Sequence, residues 1–154
     1  MIAPATINIL LADDDEDDRL LFREALEEAV INARMTAAKD GEELLNYVAA
    51  FDKYQPDIIF LDINIPRKNG IECLKVIREK PELNTVPVVM FSTSVYLNDI
   101  QETYAAGANL YLSKSVFANN ETKILTRIFT PTWRQDLQKR DKKKYVMTNT
   151  LFGM

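Results

Sequence analysis

Ile58-Ile59-Phe60-Leu61-Asp62 decides the fold: four consecutive apolar residues, then a carboxylate. A run this short and continuously apolar suits a strand covered on both faces, and such strands belong to parallel sheets. Asp62 stands where that strand would surface. Ile7-Asn8-Ile9-Leu10-Leu11-Ala12 repeats the arrangement and leads into Asp13-Asp14-Asp15-Glu16-Asp17-Asp18. Carboxylates gathered at neighbouring strand tips repel one another, so the pattern points to a hard cation or a proton that neutralises them. A third run, Leu110-Tyr111-Leu112-Ser113, ends in Lys114. Carboxylates, a hydroxyl and an ammonium at the ends of parallel strands describe a metal-assisted phosphoryl site.

Outward from these three runs the chain alternates. Strands are predicted at residues 7–12, 35–38, 57–61, 88–91 and 110–112, the second weaker and edge-like. Between them lie helical stripes. Leu21, Phe22, Ala25, Leu26, Ala29 and Val30 form the first, and Leu44, Leu45, Val48 and Phe51 the second, which Asp40 can cap. Ile71, Leu74 and Ile77 form the third, ended by Pro81. A fourth helix runs over about residues 98–106 and stops at Gly107, and a fifth carries Ile124, Leu125, Ile128 and Phe129 before Pro131. Strict alternation predicts a doubly wound α/β domain with a five-stranded parallel sheet in the order 2-1-3-4-5. Such sheets bind ligands at the carboxyl ends of the strands flanking the switch in winding direction. Those are strands 1 and 3, which end in Asp13-Asp14 and Asp62.

Composition narrows the chemistry. The 154 residues, 47% hydrophobic, suit one domain with a substantial core. No stretch approaches the roughly 20 apolar residues of a membrane span, and no signal peptide is evident. One cysteine, Cys73, cannot form an internal disulfide, and the expected location is cytoplasmic. The chain has no histidine, which removes Ser-His-Asp and Cys-His catalysis, His-ligated zinc and a phosphohistidine carrier role. Mg²⁺ or Mn²⁺ fits the remaining oxygen donors. Residues 1–130 hold 13 Lys and Arg against 21 Asp and Glu, whereas residues 131–154 hold 6 against 2. An acidic body argues against nucleic acid as its partner.

Each candidate has a plainer role against which it is weighed. Asp15, Glu16, Asp17 and Asp18 read as an acidic helix start that complements the helix dipole. Asp13 and Asp14 directly follow the strand and suit cation binding better. Asp62 could serve a turn, but Arg67-Lys68-Asn69-Gly70 already supplies turn residues. Thr93 or Ser94 suits a helix cap, whereas Ser92, nearest the strand tip, could bond a phosphoryl oxygen. Lys114 at its strand tip would reach back over the carboxylates and offset their charge. Tyr111, an aromatic in a strand, reads as core.

Taken together, four segments resemble the receiver domains of bacterial two-component response regulators over about residues 6–129. They are Leu-Leu-Ala-Asp-Asp-Asp, then Phe-Leu-Asp-Ile-Asn-Ile-Pro with Gly70, then Pro-Val-Val-Met-Phe-Ser-Thr-Ser, then Gly-Ala-Asn-Leu-Tyr-Leu-Ser-Lys. The resemblance implies the flavodoxin-like receiver fold and a role for each residue. Asp62 would be the phosphoacceptor, taking its phosphoryl group from a phosphohistidine on a sensor histidine kinase or phosphotransfer protein. Asp14 would bind Mg²⁺ directly and Asp13 through water, with Asp62 and the backbone carbonyl of Asn64 completing the protein ligands. Ser92 would be the switch hydroxyl, Lys114 the phosphate-binding lysine and Tyr111 the switch aromatic. Asn64 and Ser94 would tune the phosphoryl lifetime. Such a protein catalyses no reaction beyond its own phosphorylation and dephosphorylation. Most receivers follow the lysine with proline in a cis peptide, whereas Ser115 follows Lys114 here. A Lys-Ser pair is similar to stand-alone receivers associated with bacterial phytochromes.

The expected division is a receiver over residues 1–130 and a basic, aromatic tail over 131–154 without a separate output domain. The tail reads as a disordered or loosely strapped segment, a dimer arm or a docking segment, with Trp133, Tyr145, Val146, Leu151 and Phe152 apolar enough to bury and one short basic run only weak evidence for a nucleic-acid or membrane contact. Output would pass to a downstream protein, or to a homodimer, through the fourth helix, fifth strand and fifth helix or through the tail. Neither nucleic acid for the receiver body nor a membrane is expected. A pseudo-receiver that binds proteins without phosphorylation is the alternative, disfavoured because every expected acidic, hydroxyl and lysine position is filled. An aspartyl phosphohydrolase would need a second carboxylate where Asp62-Ile63-Asn64 has Asn64. The four scattered glycines make no phosphate-cradling loop for a nucleotide or flavin.

Overall fold

The computed structural model describes residues 5–147. Five parallel strands, β1 (Ile7–Ala12), β2 (Ala33–Ala38), β3 (Ile58–Leu61), β4 (Val88–Ser92) and β5 (Leu110–Ser113), form one sheet in the order β2-β1-β3-β4-β5. The predicted order therefore holds. β2 begins two residues before the apolar run that predicted it. It is an edge strand with Arg34 exposed, so its sequence alternates instead of reading as continuously apolar.

Side chains alternate across the sheet and divide the core in two. Leu10, Ala12, Ile59 and Leu61 face α2 (Gly41–Ala49), α3 (Gly70–Glu79) and α4 (Leu97–Ala105), meeting Leu44, Val48, Leu74 and Ile77. Ile9, Leu11, Ile58 and Phe60 face α1 (Glu16–Glu28), a short helix α5 (Lys114–Phe117) and α6 (Glu121–Ile128), meeting Phe22, Leu26, Phe117 and Leu125. The fifth predicted helix is α6, and α5 is a short helix before it that the sequence reading did not include. α5 starts at Lys114 itself and is capped by Ser113, whose side chain accepts from Val116 N–H. No peptide bond among the described residues is cis, so Lys114–Ser115 is trans.

Helix starts follow the capping logic of the sequence. Asp15, Asp40 and Asn69 each accept a backbone N–H three residues on, opening α1, α2 and α3. Gly107 takes φ +106° just past α4, a conformation that favours glycine. Gly70 is required for a different reason: a Cβ there would lie 2.1 Å from the carbonyl oxygen of Asp62. α3 thus starts hard against the loop that carries Asp62, and Gly70 N–H holds Ile63 C=O at 2.8 Å.

The tail departs most from expectation. It is neither loose nor free among the described residues. α7 (Trp133–Gln138) buries Trp133 against Phe129, and the chain then runs to Tyr145 and Met147, both buried. Tyr111 N–H donates to Tyr145 C=O at 2.8 Å and Met147 N–H donates to Tyr111 C=O at 2.9 Å, so the tail pairs with β5 as a short parallel bridge. Tyr145 joins the core layer of α2, α3 and α4, and Met147 joins the opposite layer. Burial of three large apolar side chains supplies the free energy that orders this segment. Leu151 and Phe152 lie outside the described residues.

Candidate functional site

The ladder of the sheet carries the acidic residues into place. Ala12 pairs with both Ala38 and Leu61, and the next residues continue the pairing: Asp13 N–H donates to Ala38 C=O and Asp62 N–H to Ala12 C=O, each at 3.0 Å. Asp13 and Asp62 therefore stand side by side at the carboxyl ends of β1 and β3. Both are buried, whereas Asp14 is exposed. One carboxylate oxygen from each of Asp13, Asp14 and Asp62 lies within 4.8 Å of the other two.

Lys114 reaches this cluster from the tip of β5. Its Nζ lies 2.8 Å from Oδ2 of Asp13, of Asp62 and of Asp18. The contacts to Asp18 and Asp62 have hydrogen-bond geometry. The contact to Asp13 is an ion pair without that alignment, which leaves Asp13 Oδ2 buried and short of a hydrogen-bond donor. Burial alone would lower the Lys114 pKa, but the three carboxylates outweigh it and raise the pKa above the ordinary lysine value. At Asp13 burial prevails over Lys114 and the Asp15 amide, and with Asp62 nearby its pKa is pushed upward. A buried carboxylate strained in this way and lacking a donor suits a cation. The three carboxylates are the hard oxygen donors that Mg²⁺ and Mn²⁺ take.

The remaining predicted residues surround the acceptor. Asn64 is exposed, and its N–H donates to Asp62 Oδ1 at 3.2 Å. Ser92 is fully buried at the end of β4, and its Oγ accepts from Ser94 N–H at 3.2 Å. Ser94 Oγ donates to Asp99 at 2.5 Å and accepts from Tyr96 N–H, so it organises the entry to α4. Tyr111 is turned inward and buried, and its hydroxyl donates to Ser94 C=O at 2.9 Å. Its ring also meets Tyr145 of the tail edge-on, at 6.0 Å between centroids.

Sequence reasoning missed Asp18 in this site. Its place in the acidic run suggested nothing beyond the helix dipole. The available signal was its position in the first turn of a helix that springs directly from the tip of β1. From there a carboxylate projects back over the tip. Residues 15 to 17 carry no such contact with Lys114.

Comparison with known proteins adds the family to this geometry. The model described as the response regulator receiver domain matches residues 9–128. The chain belongs to that family. Receiver domains are the signalling modules of two-component systems. The chain is 33% identical to the response regulator Rcp1 of Synechocystis over 111 residues, which cover 70% of this chain and 76% of the relative. The structure of the phosphorylated cyanobacterial phytochrome response regulator RcpA superposes with a TM-score of 0.75 at 32% identity, covering 83% of this chain and 96% of that one. The Mn²⁺-bound form of Rcp1 gives 0.71 at 30% identity, covering 79% and 91%. No described helix of this receiver is long and apolar enough to cross a membrane.

Proposed function

We propose that Asp62 accepts a phosphoryl group from a phosphohistidine on a sensor kinase or phosphotransfer protein. One observation carries this reading: Lys114 Nζ sits 2.8 Å from Asp62 Oδ2 beside an acidic pair suited to a divalent cation. Mg²⁺, for which Mn²⁺ can substitute, would be held by Asp13, Asp14, Asp62 and the Asn64 carbonyl. When bound, it supplies positive charge to the transferring phosphoryl group. The carboxylate oxygen of Asp62 attacks phosphorus in line, the P–N bond breaks, and the imidazole leaves with the bonding electrons. Lys114 turns an N–H to the phosphoryl oxygens. Ser92 Oγ, released from Ser94 N–H, donates to another. Hydrolysis of the acyl phosphate returns Asp62 and ends the signal, at a rate that Asn64 and Ser94 would tune. The protein then turns over no other substrate.

The proposal extends to partners and setting. Similar proteins of known structure include a cyanobacterial phytochrome response regulator and the bacteriophytochrome response regulator AtBRR, the latter 29% identical with a TM-score of 0.67. A phytochrome-linked kinase in the cytoplasm is accordingly the proposed donor. Phosphorylation alters contact with a downstream protein, and a second copy is the other candidate for that contact. Either would meet α4 and the tail, because the tail already lies along β5.

The test is incubation with Mg²⁺ and acetyl phosphate followed by intact-mass measurement. One added phosphoryl group is expected, absent in Asp62→Asn and after chelation. No addition, where a known receiver is modified in parallel, overturns the reading in favour of a phosphorylation-independent binding module.

A further inference from the structure

We infer that Asp18 is a positioning residue that holds Lys114 over Asp62 during phosphoryl transfer. The inference deepens the functional reading above and rests on it. A lysine ammonium has three N–H donors, and at Lys114 two are hydrogen-bonded to Asp18 and Asp62 at 2.8 Å, while Asp13 pairs with the charge at 2.8 Å without hydrogen-bond alignment. Two of the three carboxylates, Asp13 and Asp62, also belong to the set that could hold a cation. A cation on those oxygens competes with the ammonium for the same lone pairs and repels it. Phosphorylation then converts the Asp62 carboxylate into a neutral acyl linkage. Both events weaken the hold of Asp13 and Asp62 on Lys114 when its charge is needed at the phosphoryl oxygens.

Asp18 stands outside that set. Its Oδ2 accepts from Lys114 Nζ from the side of α1, and the helix start that carries it is firmly placed. Asp18 N–H is fixed by the Asp15 side chain at 3.0 Å, Arg19 Nη1 donates to Asp13 C=O at 2.9 Å, and Asp13 Oδ1 accepts from Asp15 N–H at 3.0 Å. Asp18 therefore keeps one ammonium N–H throughout the cycle and leaves the other two to turn to the phosphoryl group. Lys114 is also confined from below by Phe91, whose ring centroid is 5.6 Å from Nζ. Among the described residues, no side chain of α1 other than Asp18 pairs with the ammonium.

The test combines phosphorylation by acetyl phosphate with lysine-selective ¹⁵N NMR of the full chain. With Mg²⁺ in excess, where a bound cation would compete for Asp13 and Asp62, the Lys114 ammonium resonance, assigned by its loss in Lys114→Met, is expected to be visible in wild type. It should persist in Asp18→Asn, whose amide oxygen can accept the same N–H, and vanish in Asp18→Ala. Labelling at saturating phosphodonor should fall about tenfold in Asp18→Ala. In Asp18→Asn it should fall no more than about threefold, since a neutral acceptor keeps roughly half the interaction. In the Lys114→Met background Asp18→Ala should change labelling by less than about twofold, because both residues act through one contact. A persistent ammonium signal in Asp18→Ala, an unchanged labelling rate, or losses that multiply in the double variant would each overturn the assignment. If no form of the protein, wild type included, is labelled while the ammonium signal behaves as expected, the functional reading fails and Asp18 stands as the group that positions Lys114.

Discussion

The carboxyl ends of β1 and β3 and the outer edge of β5 solve opposite problems within a few residues of each other. At the first, like charges are forced together: Asp13 and Asp62 are buried side by side, with Asp14 and Asp18 close by and one lysine among them. At the second, aromatic rings and matched hydrogen bonds close a surface. Tyr145 packs edge-on to Tyr104 and Tyr111 and shares a 2.7 Å hydrogen bond with Thr103, and Arg140 lies over Tyr104. The first region keeps chemistry available at the expense of stability, and the second contributes stability without reactive groups. Substitutions should therefore separate cleanly into those that change chemistry and those that change folding.

The largest expected effect is chemical. Lys114→Met should slow acetyl phosphate labelling by about a hundredfold or more, because it removes a fixed positive charge from the transferring group. Denaturant unfolding of the same variant should show much less change than that rate. At the other region Tyr145→Ala should lower unfolding free energy by about 3 kcal/mol, as loss of a buried aromatic does, and leave Mg²⁺ affinity measured by calorimetry unchanged. Loss of Mg²⁺ binding in that variant would show that the two regions are not separable.

Smaller effects sharpen the contrast. Mg²⁺ at about a hundred times its dissociation constant should stabilise the wild type by about 2.7 kcal/mol, and Asp13→Asn should shrink that gain in thermal unfolding. Tyr145→Phe, which deletes the hydroxyl shared with Thr103, should cost about 1 kcal/mol. The smallest effect lies at high pH. Burial raises the pKa of Tyr54, Tyr111 and Tyr145 above the ordinary tyrosine value of 10.0. An acid whose folded pKa is raised binds its proton more tightly folded than unfolded, so its stabilising share is intact below pH 10 and lost as pH rises above it. Unfolding monitored across this range should show stability falling from about pH 10. The ultraviolet signal of tyrosinate in the native protein should lag behind that of the unfolded chain. Tyrosinate appearing in step in both would contradict the buried placement of these phenols.

Much of this arrangement was legible in the residues. The nearly continuous apolar runs leading to Asp13, Asp62 and Lys114 identified buried parallel strands, and the order of elements then placed the three tips together. Asp40 and Gly107 could be read as a cap and a stop because their local chemistry suffices. β2 was shortened in the reading because an edge strand with exposed Arg34 lacks the apolar signature. Asp18 was hidden by its neighbours: a helix-dipole account covers Asp15, Glu16, Asp17 and Asp18 equally, and the one that turns back to Lys114 looks no different. The tail was legible in part: Trp133 and Tyr145 read as apolar enough to bury, but charge masked where they dock. Its run Lys139-Arg140-Asp141-Lys142-Lys143-Lys144 suggests a solvated segment, whereas Arg140 alone of these turns inward, with its guanidinium bonded to the Ala108 and Tyr104 carbonyls. Trp133, Tyr145 and Met147 are too far apart in sequence to form a recognisable stripe and gather through tertiary contact alone.

The bridge between Tyr111 and residues 145–147 has a consequence for how the protein behaves among its copies. A sheet's border strand displays unpaired amides and carbonyls, a template on which another polypeptide can assemble. At Tyr111 both outward groups are already taken, the amide by Tyr145 and the carbonyl by Met147. The most apolar border of this sheet is thereby withdrawn from intermolecular pairing, while the opposite border, β2, is guarded by the charge of Arg34. Resistance to edge-wise aggregation at β5 is thus built from a few residues that sit outside the repeating pattern of strands and helices.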